Sequence, residues 1–271
     1  MELPGQWNNN TIAVDDQGAY FVTNGCSDGP CDTGYLYAVA FDSKKGRISP
    51  RWKYEYKNSG LLKTGMTNIG SGTSPTIIEN QRGLKRVVIA DNAYPRLNVV
   101  VVDHKNGHLI AELPVFPEMR GCSEASPIGV GNSIVIENNF GHTIDPQIPQ
   151  LEPNEPGLAL IEMGTNNSRS RPKMVWENDQ TSFFAMSQLA RESGIIFAST
   201  GDWDDEIASE EGGMYYISAI DSWDGRIIWQ VPLGRGQKGT HEYGGIYFDH
   251  DENLYVGTRS YLFSIQNYTS E

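Results

Sequence analysis

The sequence predicts an all-β protein, a β-propeller of four-stranded antiparallel blades with about five repeat units in an incomplete ring. Three observations predict it. One turn motif recurs at a near-constant interval, each interval resolves into four short strand-like runs, and no stretch carries a helical hydrophobic period. The clearest copy is 214–233, MYYISAIDSWDGRIIWQVPL, in which two β-rich runs flank a polar turn, a hairpin signal. Asp221 in AIDSWDG aligns with Asp42 in AFDSKKG, Asp103 in VVDHKNG and Glu162 in LIEMGTN, at intervals of 61, 59 and 59 residues. Three copies read Asp-x-x-x-Gly: Asp42/Gly46, Asp103/Gly107 and Asp221/Gly225. Asp opens such a turn, and Gly supplies the positive φ that ends it.

The runs follow in order. First runs fall at 11–14, 75–78, 127–130, 188–191 and 245–248. Second runs fall at 19–24, 87–92, 133–138, 194–200 and 253–258. Third runs fall at 35–42, 97–103, 157–162, 214–221 and 261–266, and fourth runs at 48–56, 108–116, 173–177 and 226–233. The units, 10–57, 74–117, 126–178, 187–234 and 244–271, are read as one propeller domain. A β-sandwich also uses short strands but requires no regular four-strand period. The fifth unit lacks a fourth run, and 3–7, LPGQW, is the only stretch that offers to supply that strand. A five-unit ring and a fragment of a larger ring are the alternatives. The fragment is the expectation, because propellers carry roughly 4–8 blades.

Composition narrows the partners. A net charge of -13 and a pI near 4.8 leave no basic footprint for nucleic acid or an anionic membrane. No run reaches the roughly 18 apolar residues of a membrane span. Residues 1–10 lack the basic start and apolar core of a signal peptide. Cys26 and Cys31 bracket a Gly/Pro/Asp turn and are spaced to close a small disulfide loop, with Cys122 left over.

In an antiparallel meander the 1→2 and 3→4 turns share one face, and the 2→3 and 4→1 connections share the other. The first face has tight turns such as DDQG, GVGN and SWDGR. The second has the long loops 25–34, 57–74, 117–126, 140–156, 179–187, 202–213 and 234–244. Long loops on a compact scaffold carry binding, so this is the expected ligand- or protein-binding face. Strand ends there supply the candidates Asn10, Ser74, Asp91, Asn92, Asn138, Asn139 and Arg259. Two loops add His142, and His241 beside Glu242, a pair able to do acid–base work. Such residues bind polar ligands or hard cations, or else satisfy the backbone where strands end. Loop 202–213 offers Asp202, Asp204, Glu206 and Glu210 at EF-hand-like spacing, but Ile207 and Gly213 stand at the two critical positions. Calcium is therefore a possible ligand without an EF-hand. The glycines of IGSGTSP, residues 69–75, form neither a catalytic elbow nor a P-loop, because the stretch lacks both G-x-S-x-G and GK[ST].

AIDSWDGRIIWQVPL resembles the quinoprotein-type (PQQ-like) propeller repeat, in which a strand ends in Ala-x-Asp, the turn carries Gly and the next strand carries Trp. Ala219, Asp221, Gly225 and Trp229 hold those places. VVDHKNGHLIAELPV keeps Asp103 and Gly107 with Ala111 for Trp. AFDSKKGRISPRW keeps Asp42 and Gly46 with Trp52 displaced, and LIEMGTNNSRSRPKMVW keeps Trp176. The resemblance implies a propeller, often periplasmic or secreted, that is commonly a non-catalytic scaffold for binding a protein or a small polar ligand. Quinone enzymes of this type carry adjacent cysteines, and no two are adjacent here, so no cofactor is expected. NNNTIAVDDQGAYFV is similar to the blade openings of gluconolactonase- and strictosidine-synthase-like propellers. That resemblance implies, as the alternative, a calcium-dependent lactone or ester hydrolase using Asn10, Asn92, Asn138 and Asp202.

Overall fold

A computed structural model describes residues 1–8, 10–24, 32–141, 155, 157–164, 172–179, 186–201, 213–241 and 244–266. Five antiparallel meanders follow one another along the chain. The first sheet holds β1 (Ala13–Asp15), β2 (Gly18–Asn24), β3 (Thr33–Asp42) and β4 (Arg47–Lys57). The second holds β5 (Thr76–Glu79), β6 (Lys85–Ala90), β7 (Leu97–Asp103) and β8 (Leu109–Val115). The third holds β9 (Ile128–Val130), β10 (Ser133–Glu137), β11 (Leu158–Glu162) and β12 (Lys173–Asn178). The fourth holds β13 (Gln188–Ala190), β14 (Ile195–Gly201), β15 (Met214–Asp221) and β16 (Ile227–Arg235). The fifth holds three strands, β17 (Ile246–Phe248), β18 (Leu254–Gly257) and β19 (Leu262–Ile265). A single turn of helix, α1 (Gly236–Gly239), leads into β17 and was not expected.

The repeat motif does the turning that its chemistry requires. Asp42 Oδ1 accepts the N–H groups of Lys44 and Lys45, and Asp103 Oδ1 those of Lys105 and Asn106. Gly46, Gly107 and Gly225 close their turns at φ of 61°, 71° and 76°. The four third–fourth strand pairs each have a register shift, after Val101, Leu160 and Ala219, two residues before the aligned Asp or Glu, and after Ala38, four residues before Asp42. This bulge puts Trp52 opposite Ala38, just as Trp229 stands opposite Ala219. The two-residue displacement of Trp52 in the sequence is thus matched by a bulge set two residues further from the Asp turn.

Consecutive sheets pack face to face through four hydrophobic clusters. Tyr20, Leu36 and Val100 lie in the first joint, Val99, Ile134 and Ile161 in the second. Leu158, Ile196 and Ile220 lie in the third, and Ile217, Leu254 and Val256 in the fourth. In two joints an indole locks one sheet onto the next turn. Trp52 Nε1 donates to the His104 carbonyl at 2.9 Å, and Trp176 Nε1 to that of Ser222 at 2.8 Å. The rings lie on Gly107 and Gly225, where a Cβ would come within 2.6 and 2.7 Å of them, so only glycine admits the contact.

No cluster among the described residues joins the fifth sheet to the first, and the arc stays open. Tyr247 on the fifth sheet is 67% exposed, and Val14 on the first is 70% exposed. The amino-terminal segment does not supply a fourth strand to the fifth sheet. Trp7 instead bridges Asn24 on the first sheet, and Gln6 Oε1 accepts the Thr23 hydroxyl. No described helix is long and apolar enough to cross a membrane.

Candidate functional site

The long-loop face of the first three sheets is built around one strap, residues 58–71, which follows β4. It crosses the ends of β2, β6 and β10, and polar side chains stitch it down. Asn92 Nδ2 donates to the carbonyls of Leu61 and Ile69. Asn24 Nδ2 donates to Asn68 Oδ1, and Tyr56 OH accepts the Ser71 N–H. Lys63 Nζ donates to the Ala93 and Gly121 carbonyls at 2.8 and 3.1 Å. Glu124 accepts both the N–H and the hydroxyl of Thr67. Met66, Cys122 and Phe140 form a small apolar cluster beneath.

Asn138 and Asn139 sit under the same strap. Asn138 Oδ1 accepts the N–H groups of Cys122 and Phe140. Asn139 Oδ1 accepts those of Glu124 and Ala125. Asp91 turns inward, accepting the N–H groups of Ala93 and Asn98 and the Asn98 amide. Asn10 and Ser74 meet at the strand starts: Asn10 Nδ2 reaches the Ser71 and Thr73 carbonyls, and the Ser74 hydroxyl pairs with that of Thr11. Ser74 N–H in turn donates to Ser126 Oγ, so neighbouring first strands are laced together. His241 and Arg259 lie apart from this group, at the fifth sheet, where the Arg259 N–H donates to the Thr240 carbonyl. His142, Glu242, Asp202, Asp204, Glu206, Glu210, Cys26 and Cys31 lie outside the described residues.

Burial controls the titratable groups of this face. It pushes Asp91 up to about 6 against its hydrogen bonds, and it raises Glu124. It lowers Lys63 and His241 and raises the thiol of Cys122, which is fully buried and free. The backbone of Gly244 and Gly245 favours the charged His241 ring but reaches hydrogen-bonding geometry at neither nitrogen. Among the described residues, no three His, Cys, Asp or Glu side chains gather as metal ligands.

Among the described residues, eight buried side-chain atoms have no hydrogen-bond partner; seven lie on the long-loop side, and the eighth, Ser199 Oγ, lies within β14. Four are amide atoms of Asn58, Asn68, Asn92 and Asn139, and the rest are Ser187 Oγ, Ser199 Oγ and both ring nitrogens of His241. Sequence reasoning missed Asn58, Lys63, Asn68 and Glu124. The lengths of the 57–74 and 117–126 loops were their only signal, because their partners lie up to 58 residues away.

The tight-turn face is also polar, but its described side chains are partnered where they are buried. His104 Nε2 lies 2.8 Å from Asp15 Oδ2 and 2.6 Å from Tyr20 OH. Lys85 Nζ donates to Asp15 and Asp16, and Arg51 donates to Tyr20 OH. Burial opposes ionisation of Asp15, but hydrogen bonds from Gln17 N–H, Lys85 and His104 together hold it at about 2.

No protein-family model matches the chain, and no curated protein matches it. Among solved structures it is similar to the quinohemoprotein alcohol dehydrogenase ADHIIG from Pseudomonas putida HK5, at 13% identity and a TM-score of 0.56. That match covers 98% of this chain and 41% of the enzyme, so the chain spans less than half of its length. The Dos1 propeller is a second neighbour, at 13% identity and a TM-score of 0.45, with 96% of this chain and 69% of that one covered. The first likeness shows a propeller fold.

Proposed function

We propose that the chain is a non-catalytic propeller scaffold that binds a small polar ligand on its long-loop face. The concentration on that side of seven of the eight unpartnered buried polar atoms among the described residues carries the reading. Buried donors and acceptors in native proteins are met by protein, ordered water or ligand, and one left alone costs about 1–3 kcal/mol. A face that concentrates them is prepared for a molecule that brings hydrogen bonds with it.

A quinone has no place in this reading. The chain has no adjacent cysteines, and the Cys122 thiol is buried against the Thr64 carbonyl. Thermal unfolding and calorimetric titration of the whole chain against sugars, amino acids, small carboxylates and calcium test the proposal. Saturable stabilisation by one class, lost in Asn92→Ala and kept in Asp15→Asn, is expected. Silence across all classes would overturn it, as would calcium-dependent turnover of a lactone or ester.

A further inference from the structure

We infer that the outer edge of the fifth sheet, with the cleft beside Trp229, is a docking site for a β-strand of another polypeptide, one that is apolar, uncharged or basic, and led by a glycine turn. The site lies apart from the long-loop face and does not depend on the ligand proposed there.

The molecule's own joints show what such a strand would meet. In the first four sheets the outer edge of the third strand is covered by an antiparallel fourth. The fifth sheet is the exception: among the described residues, β19 pairs with β18 alone. A bare edge strand presents unpaired N–H and C=O groups, a template for one strand more. Two indoles on fourth strands lie on the glycine of the next sheet's third-to-fourth turn, Trp52 on Gly107 and Trp176 on Gly225. Trp229 holds the same place in the fourth sheet, opposite Ala219 as Trp52 is opposite Ala38. Its ring borders a cavity of about 700 Å³ instead.

The cavity joins the indole to the free edge. Phe197, Trp229 and Val231 wall it on the fourth sheet, and Leu254, Ile265 and Gln266 on the fifth. Ile265 ends β19, the point from which a fourth strand turns back in the other sheets. The Phe197 ring stands 5.9 Å from Trp229 and 4.9 Å from Phe248, so the cleft has a continuous aromatic wall. Trp229 is 36% exposed, against 7% for Trp52 in its filled joint. An added strand would pair its backbone with β19 and bury alternate side chains against that wall, the mode of strand addition.

Charge selects the source. Glu192, Asp249 and Glu252 line the cleft against one cation, Arg191, and the whole chain carries a net charge of -13. A second copy would bring the same excess of negative charge to the joint. An uncharged or basic segment of a different chain brings no such repulsion.

A synthetic peptide of residues 104–116, HKNGHLIAELPVF, is the probe. It holds β8 with the turn on which Trp52 lies, and it contains no tryptophan. Titrated into the whole chain, it should bind saturably, shift the tryptophan emission to the blue and slow amide exchange at 262–265. Trp229→Phe should lose the blue shift, and Trp223→Phe, in an exposed turn, should keep it. A peptide with Gly107→Val should bind roughly tenfold more weakly, because in the second sheet a Cβ there comes within 2.6 Å of the indole. No binding, binding that leaves exchange at 262–265 unchanged, or equal binding by the valine peptide would overturn the inference. So would self-association that protects 262–265 with no peptide present, since it would seat a second copy at the edge.

Discussion

The two ends of the sheets treat charge in opposite ways. At the tight-turn end, every described carboxylate with a shifted pKa is held below its ordinary value by partners: Asp15, Asp16, Asp42 and Asp249. At the long-loop end, both shifted carboxylates, Asp91 and Glu124, are pushed up by burial. The lysines repeat the contrast, with Lys85 raised by Asp15 and Asp16 and Lys63 lowered by burial. One end uses its polar groups to join sheets. The other keeps Asp91, Glu124 and Lys63 buried, where desolvation outweighs their hydrogen bonds, a pattern that clusters at functional sites and also occurs in structural networks.

Substitutions at five positions test this contrast, in descending order of effect. Trp52→Ala removes a buried indole and its hydrogen bond from the first joint, and should cost about 4 kcal/mol in urea unfolding. Trp229→Ala, at a side chain 36% exposed, is its control and should cost clearly less.

Asp91→Asn probes the long-loop end. The folded pKa of Asp91 is raised from 3.8 to about 6, so its stabilising contribution is present below 3.8 and lost as pH rises through 6. That loss is on the order of 3 kcal/mol, and the asparagine variant should flatten it. Asp15→Asn probes the other end with the opposite slope. Its folded pKa is about 2, so its contribution is present above 3.8 and lost as pH falls towards 2. Solvent screening leaves about 1 kcal/mol for that step. Equal slopes for the two aspartates would erase the contrast.

The smallest effect belongs to His241→Phe. Burial lowers the folded pKa of His241 below 6.5, so its protonation cost removes stability as pH falls through that value. The phenylalanine variant should lose that part of the acid sensitivity in a pH series of melting temperatures.

The repeats were legible because their determinants are local. Asp42, Asp103 and Asp221 bond to N–H groups two or three residues on, and the glycines act through their own φ. The strands fall on the expected runs within a residue or two; β5, for example, is Thr76–Glu79 against an expected 75–78. The clamps were not legible. Asp15 and His104 lie 89 residues apart, and nothing in DDQG or VDHKNG announces the other. The candidate site was half legible. Asn92, Asn138 and Asn139 were picked out at strand ends, whereas Lys63 and Asn68 sit in a loop whose contacts only the folded chain creates.

The second joint has Ala111 where its neighbours have tryptophan, so no indole at that position locks the second sheet to the third. The strap crosses that seam, with Lys63 holding the Ala93 and Gly121 carbonyls and Thr67 held by Glu124. Where the arc lacks a lock it carries a staple, fastened by the Lys63 ammonium. How stiffly those two blades are joined therefore turns on a lysine and a glutamate rather than on an aromatic ring.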